Sequence, residues 1–213
     1  MSSAGFDPHC RLCPRLAAYL DTGRREHAGY HCAPVAPFGD DTPRLLIVGL
    51  APGFHGANAT GRPFTGDHAG LLLYRTLHEF GWSTAPESRH RDDGLQLVGA
   101  RITNAVKCVP PGNKPTPAEI RQCNGYLAAE LTALASVRVV LALGGIAHGA
   151  VLRALGLRAR DFVFAHAGEH ALPGTRTLLD SYHCSRYNTQ TRRLTPVMFR
   201  QVFERIAVLC GDA

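Results

Sequence analysis

Arg44-Leu45-Leu46-Ile47-Val48-Gly49-Leu50, running on into Ala51-Pro52-Gly53, is an unbroken apolar stretch that opens after Pro43 and stops at Pro52. A strand with one face in water alternates apolar with polar residues, so a run without polar members marks a strand buried on both faces, as in a parallel sheet between helices. Arg101 to Cys108, Val137 to Leu143 and Thr177 to Tyr182 have the same character, each β-branched or Leu-rich and ending near Gly, Pro or polar residues. Helical spacing fills the intervals. Gly70 to Phe80 sets Leu71, Leu72, Tyr74, Leu77 and His78 on one broad face. Thr116-Pro117-Ala118-Glu119 is a capping box with Pro at the first helical position, predicting a helix to Leu134. Gly145 to Leu155 gives another, and Thr195-Pro196 opens a last one carrying Val197, Phe199, Val202, Phe203, Ile206 and Leu209. Strands alternating with helices predict an α/β fold, a three-layer α/β/α sandwich around a central, mostly parallel four-stranded sheet with right-handed crossovers. Residues 1–43 read as an N-terminal arm lying on that core, and residues 84–94, rich in Pro, Ser, Arg and Asp, as an exposed loop.

The 213 residues suit one domain, 1–213, and the 45% hydrophobic and 19% charged content excludes a disordered tail or a coiled coil. The longest apolar runs fall far short of a membrane span. Lys and Arg outnumber Asp and Glu by 23 to 17, and the resulting +6 suits a polyanion or a phosphorylated metabolite without choosing between them. Met1 to Cys10 lacks the basic-then-apolar layout of a secretion signal, so the expected compartment is the cytoplasm. Seven cysteines, an odd number in a reducing compartment, argue against a disulfide framework.

In a parallel sheet the ligand lies beyond the carboxyl ends of the strands. After the first strand comes Gly49 to Asp67, a long connection with five glycines that lets backbone approach a ligand, unless these are ordinary turn glycines in a surface loop. After the second comes Asn104, whose amide offers a donor and an acceptor to a base, or caps a loop. After the last comes Tyr182-His183-Cys184-Ser185-Arg186-Tyr187-Asn188; of the eleven histidines only His183 sits directly at such a strand end. Cys10-Arg11-Leu12-Cys13 supplies one thiol pair, Cys108 and Cys123 another. The tight pair and the wide pair suit a [4Fe-4S] cluster or structural zinc, though not a zinc ribbon, and spacing leaves a redox C-x-x-C or plain buried thiols open.

Taken together, these motifs resemble the family 5 (type b) iron-sulfur branch of the uracil-DNA glycosylase superfamily. The resemblance is carried by Gly49-Leu50-Ala51-Pro52-Gly53 through Phe64-Thr65-Gly66-Asp67, by Thr103-Asn104-Ala105-Val106-Lys107-Cys108 with Pro110-Pro111 and Asn113-Lys114-Pro115-Thr116-Pro117, and by Tyr182-His183 with Ser185, Asn188-Thr189 and Arg193-Leu194-Thr195. It implies a monofunctional DNA repair enzyme that cuts the N-glycosidic bond of uracil, and in this branch of other deaminated or damaged bases, leaving an abasic site. The partner is then DNA, with no membrane, and the protein a monomer. Cys10, Cys13, Cys108 and Cys123 fall at the cluster positions and imply a [4Fe-4S] cofactor. Leu50 and Ala51 stand where most branches carry an acid or amide, so a carboxylate there does not activate water. The roles implied are His183 as donor to the leaving base and Asp67 as the anion near the sugar. Gly53, Phe54, His55, Gly56, Phe64 and Asn104 would bind the base. Arg62, Lys107, Lys114, Ser185, Arg186, Tyr187 and Asn188 would hold the DNA, with Arg186 or Tyr187 filling the gap a flipped base leaves. Two positions depart from the family: Cys184 replaces the usual Pro after the His, and Ala59 stands where Arg is common. A non-catalytic iron-sulfur damage-binding protein on this scaffold is the competing reading, and the presence of His183, Asp67 and Asn104 argues against it. A relative that forms a covalent adduct with DNA would carry a basic insertion that is not found.

Overall fold

The computed structural model describes residues 5–211. In chain order its elements are α1 (Pro14–Glu26), β1 (Phe38–Gly39), β2 (Leu45–Gly49), α2 (Ala57–Thr60), α3 (His68–Glu79), β3 (Ala100–Asn104), α4 (Pro117–Ala133), β4 (Val139–Leu143), α5 (Gly145–Ala154), β5 (Glu169–Ala171), β6 (Thr177–Ser181), α6 (Arg186–Gln190) and α7 (Pro196–Cys210). One sheet has the order β1-β3-β2-β4-β6-β5. Its four inner strands are parallel, with Ile47 beside Ile102 and Leu141, and Leu141 beside Leu179.

The predicted four-stranded sheet is thus the parallel interior of a six-stranded one. The additions, β1 and β5, pair antiparallel at the two edges. Two or three residues long and no more than half-buried, they contain no apolar run to announce them. Side chains alternate between the two faces, as pleating requires. Leu45, Ile47, Val139 and Leu141 meet Leu73 and Leu77 of α3 and Phe199 and Phe203 of α7. Leu46, Val48, Val140 and Leu178 meet Leu127 and Leu131 of α4 and Val151 and Leu152 of α5. Burial on both faces is the physical reason for the continuous apolar runs.

The capping box forms as read: Thr116 accepts from the Glu119 amide, and Glu119 reaches back to the Thr116 amide at 2.7 Å. The second apolar run leaves the sheet at Asn104, earlier than Cys108. It stays apolar because Val106, Cys108 and Val109 pack under α1, against Leu16 and Leu20. The arm therefore contains a helix, started by Pro14 and buried along Leu16, Ala17, Leu20 and Gly23.

Beside β3 the interior holds a charge network. Arg101 Nε donates to Glu130 Oε1 at 3.0 Å, and Lys107 Nζ lies 3.4 Å from Glu130 Oε2 while donating to Thr103 Oγ1. All three charged residues are buried. Arg101 also pairs with the exposed Asp41 at 3.3 Å, so removing Glu130 leaves Lys107 as the buried cation without its anion, and Glu130→Ala is expected to cost about 3–5 kcal/mol in unfolding free energy, measured by urea denaturation.

Candidate active site at the carboxyl ends of the strands

Because the inner strands run parallel, Gly49, Asn104, Leu143 and Ser181 end on one edge, and the groups beyond them converge. A Cβ on Gly49 would stand 2.5 Å from Asn104 Oδ1 and 2.7 Å from the Phe64 ring. Glycine here lets amide and ring lie over the strand end. Phe64 takes a left-handed backbone, φ 52°, and its carbonyl lies where a Cβ on Gly70 would be, 2.0 Å away.

Asp67 caps α3, its Oδ1 accepting from the Gly70 amide at 2.9 Å. Its Oδ2 lies against the preceding loop, 2.6 Å from where Gly56 would carry a Cβ. Burial raises the Asp67 pKa above the ordinary carboxylate value, with the amides of Gly70 and Ala69 pulling the other way. Across the cavity the His183 ring stacks on Phe64, centroids 5.8 Å apart. Burial holds its pKa down at about 4, so the imidazole is neutral at pH 7 and offers one N–H and one lone pair. Its backbone is clamped by Asn188 Nδ2 donating to the His183 carbonyl at 2.8 Å, while Ser185 caps α6 through the Asn188 amide.

These groups enclose a cavity of about 420 Å³ lined by Leu50, Ala51, Gly53, Ala57, Phe64, Asp67, His68, Ala69, Asn104, Asn113, His183, Ser185 and Arg186. Asn104 is 3% exposed, and among the described residues its Oδ1 has no hydrogen-bond partner. A buried acceptor in that state is a place prepared for a ligand donor. The cavity can thus stack a planar ring on Phe64, bind its polar edge at Asn104, donate from a neutral imidazole and set a carboxylate opposite.

Not every expected residue faces this space. The Phe54 ring packs against Tyr19, His27 and Tyr30 under α1, and the exposed His55 holds Tyr30 Oη through Nδ1 at 3.0 Å. Their side chains do not line the cavity. The Gly56 amide is spent on the Gly53 carbonyl at 3.2 Å, so that glycine contributes its closeness to Asp67 and no donor. Arg62 is not offered to a DNA backbone: it is 3% exposed, pairs with Asp93 at 2.6 Å and donates to Thr65 and Ser88. Lys107, 2% exposed, is held by Glu130 and Thr103. Both sit in motif loops but turn inward to internal anions. Lys114 is exposed, Arg186 lies at the rim, and Tyr187 stands beside it 71% exposed. His68 and Asn113 line the cavity without having been singled out; His68 directly follows Asp67 and reaches Thr189 Oγ1 at 3.0 Å, joining the first loop to α6.

Cys10, Cys13, Cys108 and Cys123 surround a second, small cavity together with Leu16, Val106, Lys107 and Tyr126. The Lys107 amide donates to Cys123 Sγ at 3.2 Å. Burial and the neighbouring thiols push Cys108 up to about 12 and raise Cys13 and Cys123. Among the described residues the group whose ligand atoms all lie within 4.8 Å of one another is His148, His170 and Asp180, not any set of these thiols. One tetrahedral zinc holds its sulfurs about 3.8 Å apart, given Zn–S bonds of about 2.3 Å. An all-thiol set gathered round one small cavity suits an iron-sulfur cluster or a structural zinc.

Residues 36–207 match the family model of the uracil DNA glycosylase superfamily. The class is thereby set. Over 207 residues the chain is 52% identical to a type-5 uracil-DNA glycosylase of Thermus thermophilus, covering 95% of this chain and 94% of that one. It is 45% identical to the type-5 uracil-DNA glycosylase of Mycobacterium leprae, covering 95% and 92%, and 42% identical to that of Pyrobaculum aerophilum, covering 95% and 90%. The chain belongs to the uracil DNA glycosylase superfamily, in its type-5 branch.

The depressed His183 pKa has a stability consequence. Between the ordinary histidine value of about 6.5 and the folded value of about 4 the unfolded chain binds the proton and the folded one does not, so stability falls as pH drops through that window. The raised Asp67 pKa has the opposite sign, its contribution being lost as pH rises through the carboxylate range. His183→Ala is expected to flatten the loss of unfolding free energy between about pH 6.5 and about pH 4, read from urea unfolding across that range.

Proposed function

We propose that the chain hydrolyses the N-glycosidic bond of uracil and related deaminated bases in DNA, acting as a monomer in a reducing compartment such as the cytoplasm and leaving an abasic site. What carries the reading is the facing pair, a neutral His183 and a buried Asp67, on a cavity where, among the described residues, the buried Asn104 Oδ1 has no hydrogen-bond partner. Among the described residues no helix is long and apolar enough to cross a membrane.

A base reaches such a cavity only when its nucleotide is rotated out of the stack, at a cost of a few kcal/mol. Phe64 then stacks on it, and the Asn104 amide takes its hydrogen-bonding edge. Lys114, Arg186 and Tyr187 are the exposed groups near the mouth suited to phosphates and the vacated stack, while Ser185 and Asn188 shape the loop that carries His183. As the glycosidic bond stretches, negative charge gathers on the base and positive charge on the sugar. The neutral imidazole donates to a base oxygen, and the Asp67 carboxylate stabilises the sugar and orients water. Leu50 and Ala51 make the intervening wall apolar, so neither can serve as a base.

We infer further that Cys10, Cys13, Cys108 and Cys123 hold a [4Fe-4S] cluster, which would supply a covalent cross-link and no redox chemistry to a hydrolysis. It would tie the residues before α1 to β3's exit and to α4.

A uracil-containing oligonucleotide treated with protein and then alkali is expected to break at the uracil; an intact strand would favour the non-catalytic reading. Under single turnover, His183→Ala and Asp67→Asn are each expected to lose about 10²- to 10³-fold. Replacing uracil by a base that leaves more easily should shrink the His183→Ala defect more than the Asp67→Asn defect, and equal defects on both substrates would overturn the division of roles. Iron and acid-labile sulfide with visible absorption are expected in anaerobically purified protein; zinc on the thiols without iron would sink the cluster.

A further inference from the structure

On the sheet face covered by α5, three side chains that the glycosylase chemistry does not use form a buried cluster: His148 of α5, His170 of β5 and Asp180 of β6. Asp180 is fully buried and His148 nearly so, while the His170 side chain is 17% exposed. His148 Nδ1 lies 2.8 Å from Asp180 Oδ1, and His170 Nε2 lies 3.2 Å from Asp180 Oδ2. The other nitrogen of His148, Nε2, is 3.1 Å from the Phe162 carbonyl.

A carbonyl can only accept, so His148 Nε2 carries the hydrogen. A neutral His148 then turns the Nδ1 lone pair onto a carboxylate oxygen, and two acceptors face each other across 2.8 Å. That contact is favourable only with a proton or a metal ion between the two atoms. An imidazole whose second nitrogen donates to a backbone carbonyl, beside a carboxylate and a second imidazole, is also the usual arrangement around a bound metal ion. Two nitrogens and a carboxylate suit zinc, which leaves its fourth position to water. All three ligand atoms lie within 4.8 Å of one another, against edges of about 3.4 Å for a tetrahedral ion with N and O ligands at about 2.0–2.1 Å.

We propose that His148, His170 and Asp180 bind one zinc-type divalent cation, reached past the partly exposed His170. The site would fasten α5, β5, β6 and the segment at Phe162 to one point. Asp180 precedes His183 by three residues, and the same segment packs Phe164 against both His148 and Tyr182. The ion thus acts as a brace for the strand that delivers the catalytic loop, with no part in the bond cleavage. It is independent of the thiol set and of the iron proposed there.

The test is equilibrium dialysis of the full-length, iron-replete protein against Zn²⁺, with metal analysis, zinc-edge X-ray absorption and thermal unfolding. Wild type is expected to hold one zinc per chain with nearest neighbours at about 2.0 Å, characteristic of N and O, rather than the about 2.3 Å of sulfur, and to melt at a higher temperature with zinc than without. His170→Ala, at the exposed ligand, is expected to keep its fold, iron and glycosylase activity while losing at least about tenfold in zinc affinity, together with the thermal shift. Asp180→Asn is expected to do the same and serves as the second variant. No uptake, zinc on sulfur, or uptake unchanged in His170→Ala and Asp180→Asn would overturn the site and leave a proton between His148 and Asp180.

Discussion

The close approach of backbone to the Asp67 carboxylate is the constraint from which the cavity at the carboxyl ends of the strands follows. One oxygen caps α3 through the Gly70 amide, and the other is pressed by the loop at Gly56 and Gly53. The cap sets where α3 begins, two residues earlier than its apolar spacing indicates. The same turn needs Gly70 because the Phe64 carbonyl occupies the space of a Cβ, and it needs the left-handed φ of Phe64 to bring the ring over Gly49. A side chain at Gly49, Gly56 or Gly70 would therefore displace ring, carboxylate or cap together.

Desolvation then determines what the two ionisable groups of the cavity are. The same burial that raises Asp67 lowers His183, each shift disfavouring the charged form. In the proposed reaction a neutral imidazole is useful, because a cation near a developing sugar cation would oppose bond breaking, whereas a neutral donor would still stabilise the leaving base. For the carboxylate the amides of Gly70 and Ala69 at the start of α3 offset part of the cost, which favours the anion that the proposed reaction calls for beside the sugar.

Much of this was legible in the sequence. Leu45 to Gly49 declares a doubly covered strand by composition alone, and Thr116 with Glu119 declares a helix start, because both signals rest on local chemistry. Position after a parallel strand picks out Asp67, Asn104 and His183, since strand ends converge whatever the strand order. The edge strands at Phe38 and Glu169 were not legible: a strand of two or three residues draws its identity from its neighbour's unpaired amides. Arg62 and Lys107 misled for a related reason. A cation in a motif loop looks like a phosphate ligand until its partner is known, and Asp93 and Glu130, the anions that turn them inward, lie 31 and 23 residues further along the chain.

Cys184, where the family motif the sequence resembles is expected to have proline, shows how the loop carrying His183 keeps its shape without that ring. A proline ring would restrict φ after His183, and a cysteine has no such restriction. The restraint is supplied instead by packing and capping. Cys184 is fully buried in the core formed by α3, α7 and the sheet, which anchors the residue after His183 by its side chain. Ser185 caps α6 one residue later, and Asn188 reaches back from that helix to the His183 carbonyl. The loop is thus held on either side of the imidazole, by β6 before it and by a short helix closing on it after, so losing one covalent restraint leaves the direction of the ring determined by several weak ones acting together.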